Sequence, residues 1–284
     1  MAGETLTFPR IYILRASQAP RALIFVTHRQ KCWSLHLWDL EAQRVEPGGM
    51  FFGTLYPRRC DLSPDGRYLL YFAMKAPGDP DWPHQFSGLS RAPWLACVLA
   101  WREAGTWTRG MFFSSRASGR PEIHARGYLH RGADVADLCP WNIESTPSIQ
   151  LAAERRIGFV EADDSPPRDP GDIWDERRRA VLEKPRPGGG REALRVMQSA
   201  FDQGEGRVER YRNYYRLVGN DGREIPLPDH VWLDWLDRDH VYGATLDGRL
   251  VVCALRGGEL VETWSHMFER MPRRKPAPEW ARRF

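Results

Sequence analysis

The sequence predicts an all-β fold built from many short antiparallel strands. Helix signals are few, because 22 prolines and 25 glycines interrupt any long segment with a 3.6-residue period. Short apolar or alternating segments, each bounded by turn residues, recur along the chain instead. The connections between them carry the Gly, Asn and Asp residues that tight reversals need. A chain of 284 residues with 42% hydrophobic residues can also bury a full-sized core.

Nine segments have strand character, and one segment is a candidate helix. The segments with strand character are 11–14, 22–26, 33–38, 68–74, 94–101, 157–160, 211–218, 240–245 and 250–255. The best helical candidate is Ile173–Glu183, an Arg-rich segment with Asp172 as a possible N-cap.

Four similar turns mark a repeat. They span residues 38–45, 101–107, 217–225 and 255–261. If the long middle gap holds one further repeat near Phe159–Asp164, the chain contains five units of about forty to sixty residues, which is the size of a propeller blade. We therefore predict a β-propeller of about five four-stranded blades over residues 1–268. Ile11–Leu14 is expected to pair into the first or last blade and close the ring.

Two segments resemble the hairpins of WD-repeat proteins and related bacterial β-propellers. Asp61–Tyr71 is a strand, a Pro-Asp-Gly turn and a second strand, and Leu35–Leu40 is similar to the Trp-Asp strand end of the WD repeat. Trp232–Gly243, followed by Leu250–Leu255, resembles a last complete blade. No Gly-His pair opens the repeats. The resemblance implies a fold and no particular activity, because propellers include both enzymes and binding proteins.

The 12 tryptophans fit the same fold. Large aromatic rings fill the space between radially packed sheets. We assign this core role to seven of them, Trp33, Trp38, Trp101, Trp107, Trp232, Trp235 and Trp264. The alternative role is a surface ladder that stacks on sugars or bases.

The positive charge of the chain is concentrated at its C-terminal end. The chain has 41 Lys and Arg against 37 Asp and Glu, a net charge of +4. The last sixteen residues contain six cationic and two anionic side chains, so the rest of the chain sums to zero. We treat 269–284 as a basic, Pro-containing tail, with Arg273, Arg274, Lys275 and Trp280 as candidate contact residues. Nucleic-acid binding is expected only through this tail. The tail is expected to be solvated and disordered, or to dock on the propeller or on a partner.

Cysteine usage and hydropathy indicate a cytoplasmic protein. The five cysteines are odd in number and widely spaced, with no Cys-x-x-Cys pair, so we expect buried thiols and no disulfide framework. No apolar run approaches the length of a membrane-spanning helix, and Met1–Thr5 does not resemble the start of a secretory signal. No membrane association is expected.

Two long segments interrupt the repeat and are the candidate binding loops. They are insertions at about 76–93 and about 163–190, both rich in Pro or Gly. Long connections in a compact domain are usually functional or mobile. The candidate interface residues in them are Trp82, His84, Phe86, Trp174, Arg177, Arg178 and Arg179, because aromatic and Arg side chains carry most interface energy.

The sequence contains no convincing catalytic or metal-binding set. No Gly-x-Ser-x-Gly elbow and no His-Glu-x-x-His motif is present, and Ser34 and Ser63 have ordinary structural explanations. The loop residues Asp79, Asp81 and His84 could hold a divalent cation. A metal in a central channel would need ligands from several blades, and the candidates are Asp61, Glu144, His230 and Asp234. We predict no metal and no cofactor.

Three functions remain open. The first is a non-enzymatic binding module that presents loops at one rim to a protein partner. The second is a metal-dependent propeller hydrolase, similar to lactonases or esterases. The third is an anionic-polymer binder acting through the basic tail. The absence of a catalytic set favours the binding module, and the protein is predicted not to be an enzyme.

Overall fold

The computed structural model describes residues 10–74, 84–97, 99–103, 111–117, 128–130, 141–145, 152–165, 180–198 and 213–282. Within these residues the chain is almost entirely β-strand, with one 3-10 turn and two short helices. The four larger sheets have a propeller arrangement, which confirms the predicted fold class with four blades instead of five.

The chain divides into two compact units. One consists of Tyr12–Ile149 and Glu269–Phe284, and we call it the N-terminal unit. The other consists of Met1–Ile11 and Gln150–Phe268, and we call it the C-terminal unit. The basic tail therefore belongs to the N-terminal unit.

Sheet 1 is an antiparallel meander of four strands in the order β1-β2-β3-β4. The strands are β1 Arg10–Arg15, β2 Arg21–Arg29, β3 Cys32–Asp39 and β4 Arg44–Phe52. The segment 11–14 thus joins the first blade, as expected. Every residue from Ala22 to His28 is buried, because β2 lies inside the sheet and both of its faces are covered.

Sheet 2 has the order β11-β9-β8-β7-β5, with β6 also paired to β7. The elements are β5 Thr54–Leu55, a 3-10 turn Pro57–Arg59, β6 Asp61–Leu62, β7 Tyr68–Met74, β8 Gln85–Arg91, β9 Leu99–Arg102 and β11 Tyr128–His130. β5 and β6 pair with opposite ends of β7, so the 3-10 turn interrupts one edge of the sheet. Two further strands, β10 Met111–Ala117 and β12 Trp141–Ser145, form a separate pair.

The described part of the predicted 76–93 insertion is mostly a strand, which corrects its assignment as a loop. β8 lies between β7 and β9. A Cβ on Gly88 would lie 2.6 Å from the Tyr71 ring, so this strand needs a residue without a side chain where the ring packs. Together with its serines, Gly88 makes this segment resemble a loop in the sequence, although the glycine is required by close packing against Tyr71.

The C-terminal unit contains two sheets. Sheet 3 has the order β13-β14-β15-β16-β17 and sheet 4 the order β18-β19-β20-β21. A short helix, α1 Ala152–Arg156, precedes sheet 3. The strands of sheet 3 are β13 Val160–Glu161, β14 Val181–Pro185, β15 Ala193–Gln198, β16 Asn213–Val218 and β17 Glu224–Leu227. Those of sheet 4 are β18 His230–Trp235, β19 His240–Thr245, β20 Arg249–Arg256 and β21 Glu259–Met267. The chain continues into the tail, which ends in α2 Glu279–Arg282.

Two predictions about residues 157–190 are wrong. Phe159–Asp164 does not begin a fifth blade, because β13 is the edge strand of the sheet whose later hairpin carries the turn near residue 219. The helix predicted for 173–183 is wrong over its described part, since β14 begins at Val181. Glu183 and Lys184 give this strand a polar sequence because both form ion pairs, with Arg195 and Asp234 respectively.

The tryptophan prediction is confirmed for four of the seven residues. Trp38, Trp101, Trp232 and Trp235 are each at most 2% exposed. Trp33 and Trp264 are half-buried, and Trp107 lies outside the described residues. Burial of these rings follows from their place on strands covered on both faces.

Candidate functional site

A repeated turn positions the first cationic residue of the candidate site. In Ser63–Arg67 the Ser63 hydroxyl donates to the Asp65 carboxylate (2.6 Å) and accepts the Arg67 backbone N–H (3.1 Å). Gly66 has a φ of +75°, a conformation that glycine adopts without strain. The turn predicted from the Pro-Asp-Gly sequence is therefore confirmed, and it fixes the backbone of Arg67.

The same turn chemistry recurs in the C-terminal unit. In Thr245–Arg249 the hydroxyl again bonds the Asp247 carboxylate and accepts the Arg249 backbone N–H. In a third turn Asp221 accepts the backbone N–H of Arg223 (3.0 Å). These equivalent arginines provide matched comparisons for Arg67.

A cleft of about 400 Å³ opens beside the Arg67 turn in the N-terminal unit. Three of its lining residues are arginines, at the start of β2, in the turn and at the end of β8. The rest of the wall is mainly proline and aromatic. We call it the arginine–tryptophan cleft, and its lining residues are Arg21, Leu37, Glu46, Pro47, Gly66, Arg67, Tyr68, Arg91, Ala92, Pro93, Trp94, Pro278 and Trp280.

Backbone contacts hold the walls of this cleft in place. The Ala92 N–H donates to the Arg67 carbonyl (2.8 Å), which ties the turn to the end of β8. The Gly49 N–H donates to the Pro93 carbonyl (3.0 Å), and a Cβ on Gly48 would lie 2.4 Å from that carbonyl oxygen. The cleft is therefore built on closely packed backbone, which reduces the entropy lost on binding.

The cleft carries positive charge with an apolar floor. Its acidic lining residue, Glu46, already pairs with Arg44 at 2.7 Å. The Arg67 side chain is 72% exposed and lies 3.7 Å from Asp65, so it can turn towards a ligand. Arg side chains beside aromatic and proline rings recognise carboxylates or phosphates attached to flat or extended apolar groups.

The basic tail contributes one side of the cleft. Pro278 and Trp280 line it, and Ala281 is fully buried with its N–H donating to the Pro278 carbonyl (3.0 Å). The Trp280 ring is 51% exposed, so an aromatic surface faces solvent at the site. The described part of the tail packs against its own unit, which agrees with the expected alternative of docking on the propeller.

A buried histidine cluster anchors the beginning of the tail. The His28 ring has Nδ1 3.1 Å from the Arg270 carbonyl oxygen and Nε2 2.6 Å from the Ser34 hydroxyl oxygen. The same hydroxyl lies 2.8 Å from Nε2 of His36. His28, Ser34 and His36 are each less than 9% exposed. We call these three residues with the Arg270 carbonyl the histidine latch.

The bonding pattern assigns protons within the latch. A carbonyl only accepts, so His28 Nδ1 carries a proton and Nε2 of neutral His28 accepts from Ser34. Ser34 then accepts from Nε2–H of His36. The Ser–His pair resembles an activated nucleophile, but Ser34 is 3% exposed and lines neither of the two cavities described here. From the sequence, Ser34 was assigned an ordinary structural role, and no local motif connects it with the two histidines.

The structure separates the predicted interface residues. Trp82, Trp174, Arg177, Arg178 and Arg179 lie outside the described residues. His84 is exposed just before β8. Phe86 lies in the core, 3% exposed, because the alternation of β8 turns it towards Tyr71, whose ring centroid is 5.9 Å away. Its placement at an exposed rim is therefore corrected.

The tail candidates are all described. Arg273, Arg274 and Lys275 are exposed, while Trp280 lines the cleft. Trp280 could be identified from the sequence, whereas the three arginines of the cleft could not. The three cleft arginines are far apart in the sequence, and no local motif connects them.

The residues considered as channel metal ligands have other partners or positions. Asp61 accepts the Phe113 backbone N–H (2.7 Å), and Asp234 accepts from the Lys184 ammonium (2.5 Å). His230 lines a second cavity of about 400 Å³ in the C-terminal unit, together with Tyr214. The side chain of Glu144 and the residues Asp79 and Asp81 are not described. Among the described residues, no group of three or more His, Cys, Asp or Glu side chains is arranged to hold a metal ion.

Comparison with known proteins gives no relative from which a site could be transferred. No protein-family model matches the sequence, and no curated protein matches it significantly. In the part of the chain with described coordinates, no helix has both the length and the apolar composition needed to cross a bilayer.

Proposed function

We propose that the protein is a non-enzymatic propeller binding module whose arginine–tryptophan cleft takes an acidic, extended segment of a partner protein. The observation that carries this proposal is the convergence of Arg21, Arg67 and Arg91 on a wall of proline and aromatic side chains. A carboxylate-bearing peptide offers the opposite charge, and its backbone and apolar side chains fit between rigid rings.

The exposed half of Trp280 supports a peptide in preference to a small anion. Tryptophan is the side chain most enriched among residues that dominate protein interfaces. A small anion would need a deep enclosure to be bound tightly, whereas this cleft presents a half-exposed Trp280 ring to solvent.

The cellular setting is also part of the proposal. Cys32, Cys60, Cys97 and Cys253 are thiols, and all except Cys97 are buried. Thiols of this kind are usual in a reducing cytoplasm. The kinship with WD-repeat-like propellers remains a proposal that rests on the Trp38-Asp39 strand end and the Asp-Gly turns. The loop residues Trp82, Trp174 and Arg177–Arg179 are proposed as a second contact region.

The test is fluorescence anisotropy with a labelled peptide that alternates Glu and Pro around one Trp. The full-length protein should bind this peptide and should bind the version with Gln in place of Glu at least about tenfold more weakly. Trp280→Ala and Arg67→Gln should each weaken binding about tenfold, the usual effect of losing an aromatic anchor or one charge-assisted hydrogen bond.

The matched control is Arg223→Gln, at the equivalent position of a turn that does not line the cleft. It should bind like the parent. Equal affinity for the Glu and Gln peptides would overturn the proposal. Binding of labelled single-stranded DNA that survives Trp280→Ala and disappears on replacing Arg273, Arg274 and Lys275 would favour the anionic-polymer alternative.

A further inference from the structure

The histidine latch joins the start of the tail to β2 and β3. The His28 ring is 7% exposed and bonds the tail only through its Nδ1–H, which donates to the Arg270 carbonyl. In the same unit the Cys32 sulfur lies 4.0 Å from the Met271 sulfur. The tail then continues to the cleft, where Pro278 and Trp280 form part of the wall. One end of the tail is thus held by the latch and the other end completes the binding site.

The latch satisfies all its hydrogen bonds when both histidines are neutral and His36 carries its proton on Nε2. Two hydrogen bonds meet at the Ser34 hydroxyl, and with both histidines neutral one is donated by Ser34 and the other by His36. A second proton on His28 would place an N–H against the Ser34 O–H. The Ser34 hydroxyl could donate to His36 instead only if His36 carried its proton on Nδ1, which would leave Nε2 as an acceptor. Protonation of His28 therefore breaks a bond in the cluster or forces a change of tautomer.

The surroundings of His28 oppose a positive charge. Through strand pairing, hydrogen bonding or adjacency in the chain, the groups near His28 that titrate or carry charge are His36 and Cys32 on β3, Arg29 on its own strand and Arg270 of the tail. Glu269, which precedes Arg270, is exposed to solvent. The two hydrogen bonds of the His28 ring go to a carbonyl and a hydroxyl, and neither partner is a carboxylate that would stabilise an imidazolium. Burial lowers the pKa of His28, and the Arg270 carbonyl opposes this by a smaller amount.

We infer that the histidine latch is a pH-sensitive regulator of the arginine–tryptophan cleft: acidification releases the tail from β2 and β3 and withdraws Trp280 from the site. The regulatory part of this inference rests on the proposed peptide-binding function, but release of the tail does not. A released tail exposes His28 to water, where the imidazole takes up a proton at its ordinary pKa. Release of the tail therefore becomes more favourable as pH falls below the ordinary pKa of histidine. The effect stops growing below the lowered pKa that His28 has while the tail is attached.

Reactivity of Cys32 reports tail release without using a ligand. This thiol is 1% exposed and lies beside Met271 of the tail. The rate at which 4,4′-dithiodipyridine modifies Cys32 is measured by peptide mapping. Dividing it by the rate in denatured protein at the same pH gives a normalised rate. Between about pH 7.5 and about pH 5.5 the normalised rate should rise by up to about tenfold, the largest factor that one group with an ordinary pKa near 6.5 can supply.

His28→Asn is the matched variant, because its amide can still donate to the Arg270 carbonyl and does not titrate. Its normalised Cys32 rate should not change with pH. Cys60, which is fully buried in the same unit, is the internal control for unfolding. A flat profile in the parent, an unchanged rise in His28→Asn, or an equal rise at Cys60 would overturn the inference. If His28→Asn fails to fold, the contrast between Cys32 and Cys60 in the parent decides alone.

Peptide binding separates the inference from the proposed function. If Cys32 becomes reactive at low pH while no acidic peptide binds at any pH, the latch stands and the proposed function fails. If the peptide binds at neutral pH while Cys32 stays protected at low pH, the function stands and the latch fails. If both hold, affinity for the peptide should fall over the same pH range as the tail is released.

Discussion

The Lys184 ammonium nitrogen lies 2.5 Å from a carboxylate oxygen of Asp234 and joins β14 of sheet 3 to β18 of sheet 4. The Asp234 side chain is fully buried and also accepts the Trp235 backbone N–H (2.8 Å) and the Tyr242 hydroxyl (3.4 Å). The carboxylate therefore has partners on two strands of its own sheet and one strand of the neighbouring sheet. This pair explains why a strand in the C-terminal unit contains a lysine.

Removing one member of this pair should be costly. Asp234→Ala leaves the partly buried Lys184 ammonium without its carboxylate, and we expect a loss of about 3 kcal/mol in the free energy of unfolding. The double variant Lys184→Met with Asp234→Leu should lose clearly less, because no charge is left uncompensated. Arg44→Ala, which breaks an exposed pair with Glu46, should change stability by less than about 1 kcal/mol. Urea denaturation measures all three, and a double variant that loses as much stability as Asp234→Ala would contradict the coupling.

Gly48 should tolerate no side chain. Its Cβ would lie 2.4 Å from the Pro93 carbonyl oxygen, which is backbone and cannot turn away. We expect Gly48→Ala to cost about 1–3 kcal/mol and to weaken peptide binding, because Pro93 lines the cleft. Gly257→Asn, at a turn with open space around its Cβ, is the control and should be nearly neutral. Thermal unfolding and anisotropy give the two readouts; parent-like values for Gly48→Ala would show that the walls are not closely packed.

Acid should destabilise the C-terminal unit through two histidines. Burial lowers the pKa of His230 and of His266. The unfolded chain then binds more protons than the folded chain below about pH 6.5, so stability is complete above that pH and is lost as pH falls towards the lowered folded values. Urea midpoints of the parent should drop from about pH 7.5 to about pH 5.5, and His230→Gln should reduce that drop. If the variant and the parent have the same pH dependence, His230 does not contribute to the loss of stability in acid.

The buried thiols should be inert in the folded protein. Complete burial raises the pKa of Cys60 to about 12, and burial raises that of Cys253 to about 11. The thiolate is the reactive form, so neither residue should be alkylated by iodoacetamide at mildly alkaline pH. Both should react in denaturant, and the half-buried Cys97 should react before either of them in the native state. Rapid native alkylation of Cys60, detected by mass spectrometry, would contradict its burial.

The sequence identifies the strands whose side chains follow simple burial. β2, β3, β7, β19 and β20 are apolar or alternating, and each was predicted close to its observed position. β8 was missed because its glycine and serines are typical of loops, and only the folded sheet shows that Gly88 makes space for the Tyr71 ring. β14 was missed because its polar residues are satisfied by partners about twelve to fifty residues away.

The blade count depended on the spacing of turns. The predicted turns near 38, 217 and 255 each join the last two strands of one sheet, in sheets 1, 3 and 4. Most of the turn predicted at 101–107 lies outside the described residues, and the fifth repeat was an interpolation. The long gap between the turns near 101 and 217 contains the strand pair of β10 with β12 and the first strands of sheet 3, of which β13 has two residues. Turn chemistry was therefore a better guide to blade number than spacing.

The candidate site could be predicted only in part. Trp280 stood out because an apolar ring in a basic tail has no purpose in solvent. Arg21 and Arg91 come from strands of two different sheets and Arg67 comes from a turn, and only the fold brings the three to one cleft, in part through the bond from the Ala92 N–H to the Arg67 carbonyl. One feature of the sequence points to the histidine latch: Ser34 and His36 are two residues apart on β3, so their side chains lie on the same face of the strand.

The central claim is that the arginine–tryptophan cleft is the place where an acidic segment binds. The most direct measurement is photo-crosslinking of the Glu–Pro peptide, carrying a benzophenone beside its Trp, to the full-length protein, with the attached residues located by mass spectrometry. The account predicts crosslinks at Ala92–Trp94 and at Pro278–Trp280, suppressed by excess unlabelled peptide. Crosslinks confined to Arg273–Lys275, or located mainly in the C-terminal unit, would contradict it.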